Sequence, residues 1–291
     1  MTPFEILDGA MGSELIKRGL ILPDHIWSAE ANINHPELVQ KIHREYIDAG
    51  ADYIIANTFR TTPRAYMKTG INSKKASQMA KYSFMRAVEH AKNAGGPSTK
   101  IIVSFAPLED CYRPELFPGK NYAISEYALM GKWMIGTGVD ILLLETMNSM
   151  AETEAGLCAL NETDLPIWIS FVLKDESHLL SGDRLADTLN MLNNYQIEMV
   201  LLNCNPLDLT IMAVDNIVDN WIGGWGIYPN LGRGEFSLDG CIAEYEPMEK
   251  YLSIIKRALN RGASVVGACC GSSHEHIAEI KKLKYYFSEY L

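Results

Sequence analysis

The alternation of short apolar segments with longer amphipathic ones is the feature that most constrains the fold of this chain. Eight segments are rich in β-branched and other apolar residues, and several are apolar at every position, as in parallel strands that are covered on both faces. They are residues 5–10, 53–59, 101–107, 141–146, 167–173, 199–204, 225–230 and 264–270. Because parallel strands need long crossover connections, usually helices, this alternation predicts a parallel sheet.

Helical patterns fill the intervals between these strands. Residues 35–50 place Leu38, Ile42 and Tyr46 on one apolar stripe, and Gly50 suits the end of the helix. Similar patterns occupy residues 73–96, 121–137, 149–160, 182–195, 207–219, 245–260 and 274–288. The chain therefore contains eight strand–helix units without a long linker.

Eight such units predict an α/β protein with a (β/α)8 TIM barrel, in a single domain over residues 1–291. An open, doubly wound sheet is the alternative. The position of the polar residues favours the barrel, because barrel enzymes place their active site at the carboxyl ends of the strands. Those ends carry acidic, amide, hydroxyl and thiol groups, namely Asp8, Asn57, Thr58, Ser104, Glu145, Thr146, Ser170, Cys204, Asn230, Cys269 and Cys270.

The adjacent cysteines Cys269 and Cys270 pose a geometric problem. Neighbouring residues of a strand point to opposite faces, so both thiols can serve one purpose only if the backbone bends. Gly267 and Gly271 flank the pair and permit such a bend. We therefore expect both thiols on one side of the chain.

Three thiols at the barrel mouth suggest a metal. Cys204, Cys269 and Cys270 end strands six and eight, and thiolates that converge in a reducing compartment are typical zinc ligands. Three protein ligands leave a fourth position open, as in catalytic zinc sites. Asn230, at the end of strand seven, can occupy that position before substrate binds, or leave it to water. A strained redox disulfide between the adjacent cysteines is the alternative.

The remaining cysteines and the nearby histidines receive a structural interpretation. His274 and His276 lie at the start of the last predicted helix, where Ser272 or Ser273 can cap it, and residues two apart on a helix do not share a face. We expect neither histidine to bind a metal. Core or loop positions are expected for Cys111, Cys158 and Cys241.

Charge and hydropathy exclude several classes of partner. The net charge of −10 argues against nucleic acid, which is bound through a basic surface. No apolar stretch reaches the ~18 residues that cross a bilayer. The first residues also lack the basic segment of a signal peptide, so we expect a cytoplasmic protein that binds no membrane. A homo-oligomer is compatible with the sequence.

Six segments, in order along nearly the whole chain, resemble the homocysteine S-methyltransferase family. They are ILDGAMGSELIKRG at the first strand, ANTF at the second, LLLET at the fourth, LLNC at the sixth, YPNLG at the seventh and GACCG at the eighth. Each is weak alone, and the six in register are specific. Two features depart from the family: Ala268, where a glycine is more common, and the charged loop FAPLEDCYRPELFPG after strand three.

The resemblance implies a zinc-dependent barrel and assigns roles to individual residues. It implies that Cys204, Cys269 and Cys270 bind Zn²⁺, and that Asp8 and Glu145 hold the amino group of homocysteine. Asn230 matches an asparagine that occupies the fourth position of the metal in some members. The catalytic set is then the three cysteines and Glu145. A turn cap for Asp8 and a buried structural pair for Glu145 are the alternatives.

Further residues are candidate contacts to the substrate. The backbone N–H groups of the turn that opens the first helix, from Gly9 and Ala10 onward, can bind the carboxylate of the substrate. Thr58 and Ser104 are candidate polar contacts. Aromatic faces attract an onium donor, but no donor residue is assigned among Trp27, Phe59, Tyr112, Phe171 and Tyr228.

The function expected from these residues and from the resemblance is that of a methyltransferase of the EC 2.1.1 class. It transfers a methyl group from a small sulfonium or ammonium donor, with S-methylmethionine or S-adenosylmethionine favoured, to the thiol of L-homocysteine, giving methionine. One alternative keeps the acceptor and takes the methyl group from a methylated corrinoid protein. Another is a zinc-binding protein without methyl transfer.

Overall fold

The computed structural model of the chain describes residues 4–160, 162–233 and 242–289, and side chains as far as residue 284. Eight parallel strands, labelled β1 to β8, form the central sheet. Their bounds are Glu5–Ile6, Tyr53–Ile55, Lys100–Phe105, Ile141–Met147, Ile167–Phe171, Ile197–Asn203, Gly224–Tyr228 and Val265–Val266.

Eleven helices are present among the described residues. Labelled α1 to α11, they are Met11–Lys17, Ala31–Asn34, Pro36–Ala49, Pro63–Met67, Ser73–Ala94, Lys120–Met134, Met150–Leu160, Leu185–Leu192, Leu207–Asn220, Met248–Asn260 and His274–Glu289. Two short 3₁₀ turns, Trp27–Glu30 and Pro114–Leu116, lie in the loops. No helix in the described ranges is both long and apolar enough to cross a membrane.

The sheet closes into a barrel. Its strands follow the order β1-β8-β7-β6-β5-β4-β3-β2, and every neighbouring pair is parallel. A parallel bridge between Leu7 and Tyr53 joins the first and last members of this order. The prediction of a (β/α)8 barrel is confirmed, and the open-sheet alternative is wrong.

Two apolar layers explain why the strands read as continuously hydrophobic. Along β4, Ile141 and Leu143 belong to a cluster in the barrel interior, which also contains Leu7, Ile102, Trp168, Met199, Leu201, Tyr228 and Val265. Leu142 and Leu144 belong to a larger cluster that is shared with the surrounding helices. Both faces of each strand are therefore buried, as in other all-parallel sheets.

Several strands end earlier than the sequence predicts. The last strand stops at Val266, so the predicted strand over residues 264–270 is wrong for its second half, and β1 and β2 are shortened similarly. Gly267 lies so close to β1 that a Cβ atom would approach the Cβ of Leu7 to 2.8 Å and its carbonyl oxygen to 3.0 Å. The chain leaves the ladder there, and this departure forms the loops of the barrel mouth.

The helix boundaries agree more closely with the sequence patterns. The predicted helix over residues 35–50 is α3, and Gly50 ends it with a left-handed φ of 114°. The buried stripe of α3 also includes Val39 and His43. The helix expected after the turn at Gly9 and Ala10 is α1. Two short helices, α2 and α4, were not predicted, because each is only about one turn long and carries little periodicity.

Candidate active site

The three predicted cysteines meet at the carboxyl end of the barrel. The Sγ atoms of Cys204 and Cys269 are 2.7 Å apart, those of Cys269 and Cys270 are 4.0 Å apart, and all three lie within 4.8 Å of one another. All three residues are free cysteines. In the described part of the chain, this is the one cluster of three or more His, Cys, Asp or Glu side chains arranged to hold a metal ion. The predicted convergence is confirmed.

Backbone bends on both contributing loops produce this convergence. Cys204 follows β6 in a left-handed conformation with φ of 53°, and Gly271 follows the cysteine pair with φ of 87°. The loop after β7 holds the turn, since Cys269 N–H donates to Pro229 O at 2.8 Å and Leu231 N–H donates to Cys270 O at 2.8 Å. Gly271 therefore makes the expected bend, whereas Gly267 is required for close approach to β1.

Asn230 lies beside the cysteines with one side-chain atom unused. Its Nδ2 donates to Cys204 O at 3.0 Å, whereas its Oδ1 is buried and has no hydrogen-bond partner. A buried amide oxygen without a partner costs free energy, so a ligand is expected there. Three thiols and one free amide oxygen form a donor set that fits a tetrahedral metal ion.

The thiols form hydrogen bonds with one another. Hydrogen bonds from Cys204 and then Cys269 hold the pKa of the Cys270 thiol well below its ordinary value. Hydrogen bonds to Cys269 and then Cys270 raise the pKa of Cys204. One thiolate is thus stabilised by two neighbouring thiols, and a bound cation would stabilise all three thiolates.

Two residues that the sequence analysis left without a role support Cys204. Asn203 Nδ2 donates to Thr146 Oγ1 at 2.7 Å and to Cys204 Sγ at 3.4 Å. Thr146 has φ of 58°, an unusual conformation for a β-branched residue, and its N–H donates to Ser170 Oγ at 2.9 Å. Both residues occur in segments quoted above, LLNC and LLLET, but their hydrogen bonds depend on the register of β4 against β5 and β6.

Two buried carboxylates face the barrel mouth without a cationic partner. Asp8 and Glu145 are 3% and 8% exposed, and in the described part of the chain neither forms an ion pair. Burial raises the pKa of Asp8 well above its usual value, and burial raises that of Glu145 to about 7. A buried, unpaired carboxylate is costly, so the pair is suited to a cationic ligand.

Polar neighbours orient the two carboxylates. Asp8 Oδ2 accepts a hydrogen bond from Ile55 N–H at 3.0 Å. The hydroxyl of Tyr228 lies 3.3 Å from Glu145 Oε1, and a hydrogen bond from Ser104 also reaches Glu145. Asp8 caps no helix, and Glu145 forms no ion pair among the described residues. The binding of substrate by these two acids stays a prediction.

The other predicted substrate-binding residues, Gly9, Ala10, Thr58 and Ser104, contact other residues of the protein. Ala10 N–H donates to Ser272 Oγ at 2.9 Å, and a Cβ atom at Gly9 would lie 2.6 Å from the same oxygen. Thr58 Oγ1 accepts from Ser104 N–H at 2.9 Å and donates to Ser104 O at 2.8 Å. These contacts tie neighbouring strand ends together, and a role in substrate binding stays a prediction for all four residues.

The other thiols and histidines lie outside the cluster. Cys111 is buried, as expected, and burial raises its pKa to about 12. Cys158 is exposed on α7, so the core or loop interpretation is wrong for it. Cys241 lies outside the described residues. His276 Nδ1 accepts from Ser273 N–H at 3.1 Å at the start of α11, which matches the structural interpretation.

The charged loop after β3 is anchored to α4 and brings an aromatic residue to the site. Glu109 is buried and forms ion pairs with Arg64 of α4 and with Lys68, which directly follows this helix, so the charge of Glu109 fixes the loop. The same loop carries Tyr112, which lines a cavity of about 330 Å³ together with Cys204 and Asn230. The sequence analysis assigned Tyr112 no role, because only the course of the loop places it here.

Comparisons with known proteins identify the family. Residues 5–283 match the sequence profile of the family described as homocysteine S-methyltransferase. The homocysteine S-methyltransferase YbgG of Bacillus subtilis is 29% identical and aligns over 96% of this chain and 93% of its own. The homocysteine S-methyltransferase of Escherichia coli is 26% identical over 95% of this chain and 94% of its own.

A solved structure agrees with the fold. The metallated form of the homocysteine methyltransferase MmuM from Escherichia coli superposes with a TM-score of 0.81 at 26% identity, covering 97% of this chain and 96% of that one. The match extends over almost the whole of both chains. The expected enzyme class is therefore confirmed, and the chain belongs to the homocysteine S-methyltransferase family.

Proposed function

We propose that this protein transfers a methyl group from a small sulfonium donor to the thiol of L-homocysteine, with Zn²⁺ as its metal. The observation that carries the proposal is the juxtaposition of three thiols within 4.8 Å of one another with two buried, unpaired carboxylates at the same barrel mouth. The relatives are named homocysteine S-methyltransferases, which supports homocysteine as the methyl acceptor.

Cys204, Cys269 and Cys270 would hold the metal, and the free Oδ1 of Asn230 would complete its shell until a substrate thiol arrives. When bound, Zn²⁺ lowers the pKa of a thiol so that a thiolate nucleophile exists at neutral pH. Asn203 and Thr146 hold Cys204 in place, so the ligands are positioned before metal binding.

Asp8 and Glu145 would bind the ammonium group of homocysteine. Ionisation of both acids is unfavourable in the empty site, because burial raises their pKa values. A bound ammonium group favours the ionised forms of both acids and donates charge-assisted hydrogen bonds to the two carboxylates. The acceptor is then fixed at its head by the acids and at its sulfur by the metal site.

The methyl transfer itself needs alignment rather than proton transfer. The acceptor thiol releases its proton to solvent on binding, and its sulfur then forms the new bond to the methyl carbon. The bond between that carbon and the donor sulfur breaks, its electron pair stays on the donor sulfur, and the donor leaves as a neutral thioether. The donor must therefore lie in line with the acceptor sulfur, on the far side of the methyl group.

Metal analysis and zinc X-ray absorption test the acceptor half of this proposal. We expect about one zinc per chain, bound by three sulfur atoms and one lighter atom, with a fourth sulfur appearing when homocysteine is added. The variant Cys269→Ala should lose zinc and activity together, whereas Cys158→Ser, on the surface of α7, should keep both.

Two results would contradict the proposal: a zinc shell that does not respond to homocysteine, or full activity of Cys269→Ala without zinc. A donor screen with S-methylmethionine, S-adenosylmethionine and a methylated corrinoid protein separates the donor alternatives. Activity with the corrinoid protein alone would leave the acceptor role intact and replace the sulfonium donor.

A further inference from the structure

A cavity lies beside Cys204, one of the three clustered cysteines. It has a volume of about 330 Å³, and its walls come from the loops after β5, β6 and β7 together with Tyr112. Neither Asp8 nor Glu145 is among the described residues that line it. The acids that would hold homocysteine and this cavity thus lie at different parts of the site, both next to the cysteines.

The cavity has both apolar and aromatic walls. Val172, Leu173, Leu180 and Pro206 give it apolar walls, and Tyr112 adds an aromatic ring next to Cys204. An aromatic face attracts an onium group, and apolar walls accept methyl and methylene groups. The volume is at the small end of the range for ligand sites, which suits a compact donor.

An ion pair also lines this cavity. Arg233 donates from Nε to Glu246 Oε2 at 2.9 Å, and its Nη2 atom is 2.8 Å from the same oxygen. The other carboxylate oxygen of Glu246 accepts from Lys250 Nζ at 3.1 Å. The cavity therefore offers one cationic group and one anionic group close together.

The backbone fixes this ion pair relative to the cysteines. Arg233 lies in a two-stranded hairpin, Gly232–Arg233 with Glu244–Tyr245, and Glu246 N–H donates to Leu231 O at 2.7 Å. Leu231 N–H donates in turn to Cys270 O at 2.8 Å. One continuous set of hydrogen bonds thus connects the ion pair to the metal-ligand turn.

From these observations we infer that Arg233 and Glu246 recognise the zwitterionic amino-acid head of the methyl donor, and that the sulfonium group lies in the same cavity beside Tyr112 and Cys204. The inference rests on the proposed function. Arg233 binds the α-carboxylate in a bidentate manner, and Glu246 accepts from the α-ammonium group. The described walls of the cavity thus carry a partner for each of the two charges of an amino-acid head.

Two sulfonium donors that differ in the ammonium group test this inference. S-methylmethionine has both a carboxylate and an ammonium group, whereas dimethylsulfoniopropionate has only the carboxylate. Arg233→Ala should raise KM for both donors by roughly 10- to 100-fold, the loss typical of a charge-assisted hydrogen bond. Glu246→Gln should raise KM for S-methylmethionine by about tenfold and leave that for dimethylsulfoniopropionate unchanged or lower.

Asp208→Asn is the matched control. Asp208 accepts from Lys250 Nζ at 2.7 Å and so belongs to the same charge network, but it does not line the cavity. This variant should change neither donor KM. All three variants should keep the wild-type KM for homocysteine and the wild-type zinc content.

Calorimetric titration of S-methylmethionine into the zinc-loaded, homocysteine-saturated protein gives a readout that is independent of turnover. We expect binding to the wild type, and weaker binding to both cavity variants. If the variants lower Tm but bind the donor as the wild type does, the ion pair stabilises the hairpin and does not bind the donor. A raised KM for homocysteine instead would show that the cavity holds the acceptor.

The failure of this inference can be distinguished from that of the proposed function. No binding of S-methylmethionine to the wild type overturns the inference, while the response of the zinc shell to homocysteine reports the acceptor role separately. Conversely, a zinc shell that ignores homocysteine overturns the proposed function, even if the sulfonium binds.

Discussion

At the scale of single residues, the carboxylates of Asp8 and Glu145 provide a direct test of acceptor binding. Each is buried without an ion pair among the described residues. We expect Glu145→Gln to lower kcat/KM for homocysteine by roughly 10- to 100-fold, because the amide cannot supply the charge that the ammonium group needs. Zinc content should stay at the wild-type value, which separates this effect from loss of the metal.

Glu126→Gln is a suitable comparison for that variant. Glu126 is also a buried carboxylate, but it accepts from Arg64 N–H at 2.9 Å between α4 and α6, away from the cysteines. Its substitution should lower the stability of the fold and leave KM for homocysteine unchanged. An unchanged KM in Glu145→Gln would contradict the proposed role of Glu145.

His43 on α3 makes the stability of the fold depend on pH. Its side chain is fully buried, and neither ring nitrogen has a hydrogen-bond partner. Burial, and then the charge of His90, lowers the pKa of His43 to about 3. An unfolded histidine has a pKa of about 6.5, so between these values the unfolded state binds the additional proton.

The free energy of unfolding should therefore decrease by about 1.4 kcal/mol for each pH unit below about 6.5, from this residue alone. In His43→Leu this contribution disappears, so the variant should gain stability relative to the wild type as the pH falls from 7 to 5. Urea unfolding at several pH values measures the free energy of unfolding of both proteins. His25→Gln, at an exposed position, should leave the dependence as it is in the wild type, and equal slopes for His43→Leu and wild type would refute the prediction.

At the scale of elements, the turn after β8 depends on Gly271. Its φ is 87°, and a Cβ atom would lie 2.9 Å from the backbone nitrogen of Gly232. We expect Gly271→Ala to cost about 1–2 kcal/mol from the left-handed conformation, and more from this clash with the backbone. Because the clash displaces the cysteine turn from the neighbouring hairpin, zinc affinity should also fall.

Gly182→Ala separates the two effects. Gly182 has a similar φ of 92°, but nothing lies within 4 Å of an added Cβ atom. The variant Gly182→Ala should lower the free energy of unfolding by the conformational cost alone and leave the affinity for zinc unchanged. Chemical unfolding and a competitive zinc titration of both variants provide the measurement, and equal zinc affinities would be the contrary result.

At the scale of the whole molecule, the barrel closes through a short seam between β1 and β2. A single parallel bridge joins Leu7 to Tyr53, and Asp52 Oδ2 reinforces it by accepting from Ile6 N–H at 2.8 Å and from Lys284 Nζ of α11 at 2.5 Å. Asp52→Ala should destabilise the protein by about 1–3 kcal/mol, because it leaves a backbone donor unpaired at the weakest junction of the sheet.

Asp140 provides the comparison within the same barrel. Its Oδ2 accepts from Ile101 N–H at 2.8 Å, but four residue pairs join β3 to β4 there. Asp140→Ala should therefore cost less than Asp52→Ala. Thermal unfolding of both variants measures the difference, and an equal or larger effect at Asp140 would show that the β1–β2 seam is not the weaker junction.

The cytoplasmic location, the extent of the single domain and any homo-oligomer stay predictions.

The sequence by itself determined the architecture, the family and the convergence of the three cysteines. Strands that are apolar on both faces alternate with amphipathic helices, and the barrel that follows brings every strand end to one mouth. For that reason Cys204, Cys269, Cys270, Asp8 and Glu145 could be predicted as neighbours from their positions alone. These are properties of local pattern and order along the chain, which one sequence contains in full.

Only the tertiary structure decided how these residues are supported and which others join them. The hydrogen bonds of Asn203 and Thr146 depend on strand register, and the positions of Tyr112, Arg233 and Glu246 depend on how loops fold over the mouth. Loop paths and the burial of unpaired carboxylates arise from contacts between segments distant in sequence. Local periodicity carries no information about such contacts, so the cavity beside the three cysteines could not be predicted before the fold was known.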